Sequence, residues 1–280
     1  MTDFDGLPVL HDPVAVAAFE GWNDAADAAT AALAHLEQVW QARPVTALDP
    51  EEFYDFQVAR PIVTQVDGER RIEWPTTRFL VARPPGADRD VVLIRGIEPS
   101  LRWRTYCEQV LEVCHALEVN RLVLLGGLLA DVPHTRPLPV SGYGAGVEAV
   151  DRLKLQPTRY EGPTGIVGVL HERADRAELP TVSFWVHVPH YASSPPCPKA
   201  TLALLHRVEE ILDLPVPTVD LAEAAAEWEA RVQHATAQDE ELRDYVRELE
   251  QRAGDVELRP LTGDEIASEF EKYLRRRGPR

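Results

Sequence analysis

Cysteine is scarce in this chain. Of 280 residues only Cys107, Cys114 and Cys197 are cysteines, and no CxxC pair occurs. A sparse, odd count is not a disulfide framework and suits a reducing compartment; the missing pair excludes a zinc site built from cysteines. Lysine is nearly absent too: Lys154, Lys199 and Lys272 stand among many arginines, which reads as genome composition. Long apolar runs are missing. Val14 to Phe19 and Leu122 to Leu129 are the longest, far short of the roughly 20 residues of a membrane-spanning helix. Positive charge is in deficit, with a net charge of −17. Phosphate backbones and anionic lipid surfaces both require basic patches, so neither nucleic acid nor a membrane is an expected partner. Met1 to His11 is acidic and lacks a basic start followed by an apolar core, so no signal peptide is read there and a cytoplasmic location is expected. Three motifs are absent: the G-x-x-x-x-G-K-[ST] loop, G-x-G-x-x-G after the first strand, and the G-x-S-x-G elbow. No cofactor is therefore expected.

What is present is an ordinary packed composition, 45% hydrophobic and 27% charged, enough to bury one large domain or one domain with an extension. Short apolar runs at Val14–Phe19, Val91–Ile94, Leu122–Leu125 and Thr181–Val188 read as buried strands. Helices are predicted over about 25–41, 101–117, 165–179 and 198–212, the last with Pro198 in its first turn. Cys107 and Cys114, seven apart, share a helical face with Val110, Leu111 and Leu117, which predicts buried thiols. Strand and helix alternate at least four times, the pattern of a mostly parallel sheet with helices on both faces. Between them, Val45–Leu48, Arg71–Trp74 and Arg78–Ala82 read as strands, with a turn at Asp67-Gly68-Glu69 and antiparallel strands at one edge. Residues 131–146 read as a Pro/Gly-rich loop.

From residue 219 onward the character changes to an acidic helical extension, so the chain divides into 1–218 and 219–280. Leu221, Ala225, Trp228, Val232, Ala235, Asp239, Leu242, Val246 and Leu249 step by four and three, a heptad seam with one polar member. A further helix is predicted from a capping box at Thr262-Gly263-Asp264-Glu265, with Ile266, Phe270, Tyr273 and Leu274 as its stripe. The extension either packs back on its own body or, through Leu221, Trp228, Val232, Leu242, Val246 and Leu249, serves as an oligomerisation or partner seam.

Ligands of open α/β sheets bind beyond the carboxyl ends of the strands. Four loops there carry polar groups, and their candidate pocket residues are Gly21, Trp22, Asn23, Asp24, Glu98, Arg102, His134, Arg136, His190 and Tyr191. Each has a plainer role beside the functional one. Asn23 or Asp24 can cap the following helix. Glu98 and Arg102, four apart, can pair with each other. His134 can be a structural hydrogen bonder, and His187 and His190 have H-x-x-H spacing at a strand end rather than on a helix, so no metal is expected. Arg102 and Arg136 together could grip an anion.

In order along the chain, Gly21-Trp22-Asn23-Asp24-Ala25-Ala26-Asp27-Ala28-Ala29, Trp74-Pro75, Gly96-Ile97-Glu98-Pro99 with Arg102-Trp103, Pro133-His134-Thr135-Arg136-Pro137, Tyr160-Glu161-Gly162-Pro163-Thr164-Gly165 and Pro189-His190-Tyr191 form a set. Together, over about residues 14–215, they resemble the proteasome assembly chaperone 2 family, and more closely its actinobacterial-type members. The resemblance implies a three-layer α/β/α sandwich of the phosphorylase/hydrolase-like kind, a homo-oligomer with a trimer as the candidate assembly, and proteasome α subunits as candidate partners. Some relatives dock through a C-terminal hydrophobic–tyrosine–any-residue tail. Tyr273 is not penultimate here, so that tail is expected to be missing. The resulting expectation is a non-catalytic, chaperone-like interaction protein. Its alternative is an enzyme or a binder of an anionic or nucleotide-like small molecule, using the strand-end pocket.

Overall fold

A computed structural model describes residues 6–144, 155 and 160–255. Its strands are β1 (Val14–Glu20), β2 (Arg43–Ala47), β3 (Ile62–Val66), β4 (Glu69–Glu73), β5 (Arg78–Ala82), β6 (Val91–Ile97), β7 (Arg121–Ala130), β8 (Val140–Gly144) and β9 (Thr181–Pro189). Its helices are α1 (Ala28–Val39), α2 (Trp103–Ala116), α3 (Ile166–Arg176), α4 (Pro198–Leu212), α5 (Val219–Ala237) and α6 (Glu240–Asp255). The capping box at 262 and its stripe lie outside the described residues.

Seven strands form one sheet in the order β2-β5-β6-β1-β7-β9-β8, with helices on both sides. β1 pairs in parallel with both β6 and β7, from Val14↔Val91 and Val14↔Arg121. Toward the edges β2–β5, β5–β6 and β8–β9 are antiparallel. The sheet is therefore mixed rather than mostly parallel. One cause is the short link between β5 and β6: parallel neighbours need a crossover of about a dozen residues or more, and this link is too short to provide one.

By contacts the chain divides into two compact units. The first comprises Met1–Trp22, Leu33–Leu124 and Thr164–Thr181. Val14–Phe19 and Val91–Ile94 are fully buried, as continuous apolar runs demand when both sheet faces are covered. Tyr106 of α2 sits among them, edge-on to Phe19 and Phe53 at 6.2 and 5.3 Å. Its hydroxyl is satisfied by Thr77, which also meets Tyr54. Cys107 and Cys114 are buried, as their helical spacing predicts. β3 and β4 form a separate two-stranded sheet. Asp67 and Gly68 both take positive φ, 53° and 81°, so the expected turn is a tight two-residue one whose twist suits a hairpin.

The second unit comprises Asn23–Ala32, Leu125–Pro163 and Val182–Arg280. Here β7 continues through Gly126-Gly127 to Ala130, past the expected end at Leu125. A Cβ on Gly126 would lie 2.6 Å from the Trp185 ring, and one on Gly127 3.1 Å from the Ala25 nitrogen. The glycines thus permit close approach inside the strand rather than ending it. The expected loop at 131–146 contains β8, which pairs with β9 from Val140↔Val186 to Gly144↔Val182.

α4 packs against α5, and α5 against α6. Ala225, Trp228, Val246 and Leu249 are buried within the chain, while Leu221, Val232 and Leu242 are partly covered. The uninterrupted heptad seam is corrected in one respect: the helix breaks at Gln238-Asp239. Asp239 Oδ1 accepts the Leu242 N–H at 3.1 Å, so the one polar seam member caps α6.

Candidate functional site

The strand-end residues divide between the two units. In the first, Gly21 follows β1 with φ of +127°, a conformation that only glycine adopts without strain. A Cβ there would lie 3.2 Å from Glu98 Cβ. The Glu98 N–H donates to Glu20 O at 2.8 Å, and its Oε1 accepts the Ile166 N–H at 2.8 Å. Ile166 is the first residue of α3, and Gly165 before it offers no side-chain cap. Glu98 therefore caps α3 from a distant loop, a carboxylate at the positive end of the helix. Arg102 opens α2 in the left-handed region, φ 52°, and pairs with exposed Glu52 at 3.1 Å. The Glu98–Arg102 pairing considered from sequence is replaced by these separate partners. Trp22 is 42% exposed.

In the second unit, Asp24 is the helix cap anticipated from sequence, reached by a detour. Ala26 and Asp27 both adopt positive φ, 55° and 56°, before α1 begins. The Asp24 carboxylate reaches across that kink and accepts the Ala29 N–H at 2.6 Å, the Thr30 N–H at 3.3 Å and the Thr30 hydroxyl. Burial pushes its carboxyl up to about 6, against the pull of these hydrogen bonds. The carbonyl of buried Asn23 accepts the Gly127 N–H at 2.7 Å.

His134, His190 and Tyr191 come together. Tyr191 Oη accepts the His134 backbone N–H at 2.8 Å and lies 2.9 Å from His134 Nδ1. The other ring nitrogen, Nε2, lies 3.1 Å from Gln233 Oε1 on α5. A carbonyl oxygen only accepts, so Nε2 carries the proton and Nδ1 accepts from the tyrosine. Burial lowers the His134 pKa and pushes the Tyr191 hydroxyl up to about 12, which keeps both groups neutral. Lys199 of α4 bonds the His134 carbonyl and Glu229 of α5. Thr135 bonds Glu250 of α6. Asp131 Oδ1 accepts from Tyr245 Oη at 2.7 Å and lies 3.0 Å from His190 Nδ1, at an angle outside hydrogen-bond geometry. The rings of His190, Tyr191 and Tyr245 meet edge to face with centroids 5.5–6.1 Å apart.

The segment 131–135 is thus a hub. It ties the turn after β9 to α4, α5 and α6. Arg136 is exposed beside it. His187 belongs elsewhere: it is buried against Ser141, with Nε2 2.9 Å from that hydroxyl, and burial drops its pKa to about 4. Among the described residues no group of three His, Cys, Asp or Glu could hold a metal ion. Sequence reasoning missed Asp131, Lys199, Glu229, Gln233, Tyr245 and Glu250. One usable signal was Lys199, one of three lysines, set aside as composition. Another was the four-residue step from Glu229 to Gln233, which puts both on one helix face.

Comparison with known proteins returned three kinds of result. The PAC2 family model matches residues 18–236, through nearly all of α5. A PAC2 family protein of Streptomyces avermitilis is 52% identical and superimposes with a TM-score of 0.79, over 84% of this chain and 100% of that one. A proteasome-assembly chaperone homologue of Mycobacterium tuberculosis is 54% identical with a TM-score of 0.76, over 83% of this chain and 99% of that one. An archaeal homologue of proteasome-assembly chaperone from Pyrococcus furiosus shares the fold, with a TM-score of 0.60 at 18% identity over 85% of this chain and 98% of that one. No curated protein matches the sequence.

Proposed function

The chain belongs to the PAC2 family, and from that premise we propose that it is a chaperone-like interaction protein that associates with itself and with proteasome α subunits in the cytoplasm. The observation that carries this reading is the 54% identity, over 83% of this chain, to a protein described as a proteasome-assembly chaperone homologue. The charge supports it: a chain of net −17 stays soluble and favours basic or neutral partner surfaces. So does the engagement of the strand-end acids. Asp24 and Glu98 are occupied as helix caps, which leaves fewer groups for chemistry. The extension 219–280 serves in this reading as packing for the 131–135 hub as well as surface for a partner.

The test is reconstitution. The purified full chain is mixed with α subunits from the same cell, and complexes and α-ring formation are followed by native mass spectrometry. A defined complex together with faster ring formation is the expected result. Absence of both at micromolar concentrations overturns the α-subunit partner.

The second reading, a small-molecule site, draws on the gathering of His134, His190, Tyr191, Tyr245 and Asp131 in one place. A thermal-shift screen of anions and nucleotides against the full chain tests it; it fails if no compound raises the midpoint.

A further inference from the structure

Ser141 and His187 meet outside the hub. Ser141 lies on β8 and pairs with Trp185 of β9, and His187 follows two residues further along β9. Residues two apart on a strand share a face, so the two side chains are diagonal neighbours. Ser141 Oγ is 2.9 Å from His187 Nε2. His187 is 1% exposed, whereas Ser141 is only half-buried. A partly exposed hydroxyl thus backs onto a buried imidazole.

Support of a buried side chain does not account for this pair. Nδ1 of the same ring is buried and has no hydrogen-bond partner among the described residues. The fold therefore holds an imidazole that it satisfies at one nitrogen only. Buried polar groups are nearly always paired, and an exception asks for a reason, of which a chemical role is one. Burial also keeps the ring unprotonated at neutral pH, so one nitrogen is available to accept a proton.

The edge of the sheet adds a third component. β8 is its last strand. The His187 N–H donates to Pro139 O at 2.9 Å, and in an antiparallel ladder the bonding direction alternates along the strand. By that alternation Gly142, directly after Ser141, turns its N–H away from β9 and toward the outer edge. The N–H of the residue after a nucleophilic serine is a placement that holds the oxyanion in acyl transfer.

We propose that Ser141 is a nucleophile toward small acyl esters, with His187 as its base and the Gly142 N–H as oxyanion donor. In this role Nδ1 carries the ring proton and Nε2 accepts from the serine. Ser141 Oγ bonds to the ester carbonyl carbon as its proton passes to Nε2, and the carbonyl oxygen becomes an oxyanion beside the Gly142 N–H. The ester C–O bond then breaks, and the imidazolium returns the proton to the departing alkoxide. Water hydrolyses the acyl serine by the same route. Among the described residues nothing stands at Nδ1 to stabilise the imidazolium, so both steps are slow.

The experiment is labelling of the folded full-length chain with a fluorophosphonate at neutral pH. The serine O–P bond forms as the P–F bond breaks, and HF departs. Intact mass counts the adducts, and peptide mapping places them. One adduct on Ser141 is expected, formed about tenfold or more slowly in H187Q and in wild type unfolded in urea. A wild-type thermal midpoint verifies that H187Q is folded; where it is not, the comparison with urea decides. No adduct on Ser141 in the folded chain overturns the proposal. So does one that forms as fast in urea or in folded H187Q.

Discussion

Tyr191 Oη accepts the backbone N–H of His134 at 2.8 Å and in turn meets the ring of the same histidine at 2.9 Å. One hydroxyl thereby satisfies two buried polar groups of a residue that is itself fully buried. Tyr191→Phe removes both partners and leaves them dry. The expected cost is about 1–3 kcal/mol, read as a lower urea midpoint with unchanged slope. No change in midpoint would mean the clamp contributes nothing to stability.

Acid should act on the fold in two opposing ways. His187, buried and near 4, is neutral in the folded chain, whereas its unfolded value is 6.5. It therefore withdraws stability as pH falls from about 6.5 to 4, and His134 and His171, also lowered by burial, act in the same sense. Asp24 does the reverse. Its folded value of about 6 lies above the unfolded 3.8, so protonation adds stability over that window. His187 and Asp24 each amount to about 3 kcal/mol. Asp24→Asn removes the compensating group, so its stability should fall more steeply between pH 6 and 4 than that of wild type. Parallel curves from denaturant titrations across that range would contradict the opposition.

Glu98→Ala uncaps α3 and should cost about 1 kcal/mol, while Glu98→Gln, which keeps an acceptor oxygen, should cost less. Gly21→Ala should cost more than Glu98→Ala, since it strains a backbone at φ +127° and crowds Glu98. Chemical denaturation of the three variants gives the ranking; equal midpoints for Ala and Gln at 98 would remove the cap from the account.

Gly126→Ala places a methyl against the Trp185 ring and should cost about 1–3 kcal/mol. Trp185→Leu in the same chain should recover part of that loss. A double-mutant cycle with no coupling would show that the ring is not what the glycine makes room for.

Removal of residues 219–280 tests the role of the extension. It strips Gln233, Glu229, Tyr245 and Glu250 from the 131–135 hub and uncovers the face of α4 that packs against α5. The truncated chain should melt much lower and bind a hydrophobic dye. A truncated chain that stays soluble with an unchanged midpoint would return the extension to the role of a free arm.

Much of this architecture was legible in the residues, and the misses have physical causes. β1 and β6 could be read because strands covered on both faces must be continuously apolar. The full reach of β7 could not. Gly126 and Gly127 look like breakers until Trp185 and the Asn23–Ala25 turn are seen pressing on them. Asp239 fitted a heptad position by spacing alone, yet it lies at the break between two helices and its carboxylate caps the second. At the site, Pro133–Pro137 and Pro189–Tyr191 stood out as special loops. Their partners did not, because Tyr245 lies 114 residues from Asp131 and Gln233 lies 99 from His134. Such pairings are set by how helices pack, which no local pattern encodes.

The three thiols have a practical consequence. Cys107, Cys114 and Cys197 are all buried, and burial pushes them up to about 12, 12 and 11. Thiol-directed reagents are attacked by the thiolate, which these groups do not form at neutral pH. A single cysteine introduced at an exposed position such as Val58, 79% accessible, would be the one sulfur a maleimide reaches. The native chain is thus its own background for fluorophores, spin labels and crosslinkers, with no cysteine to remove first.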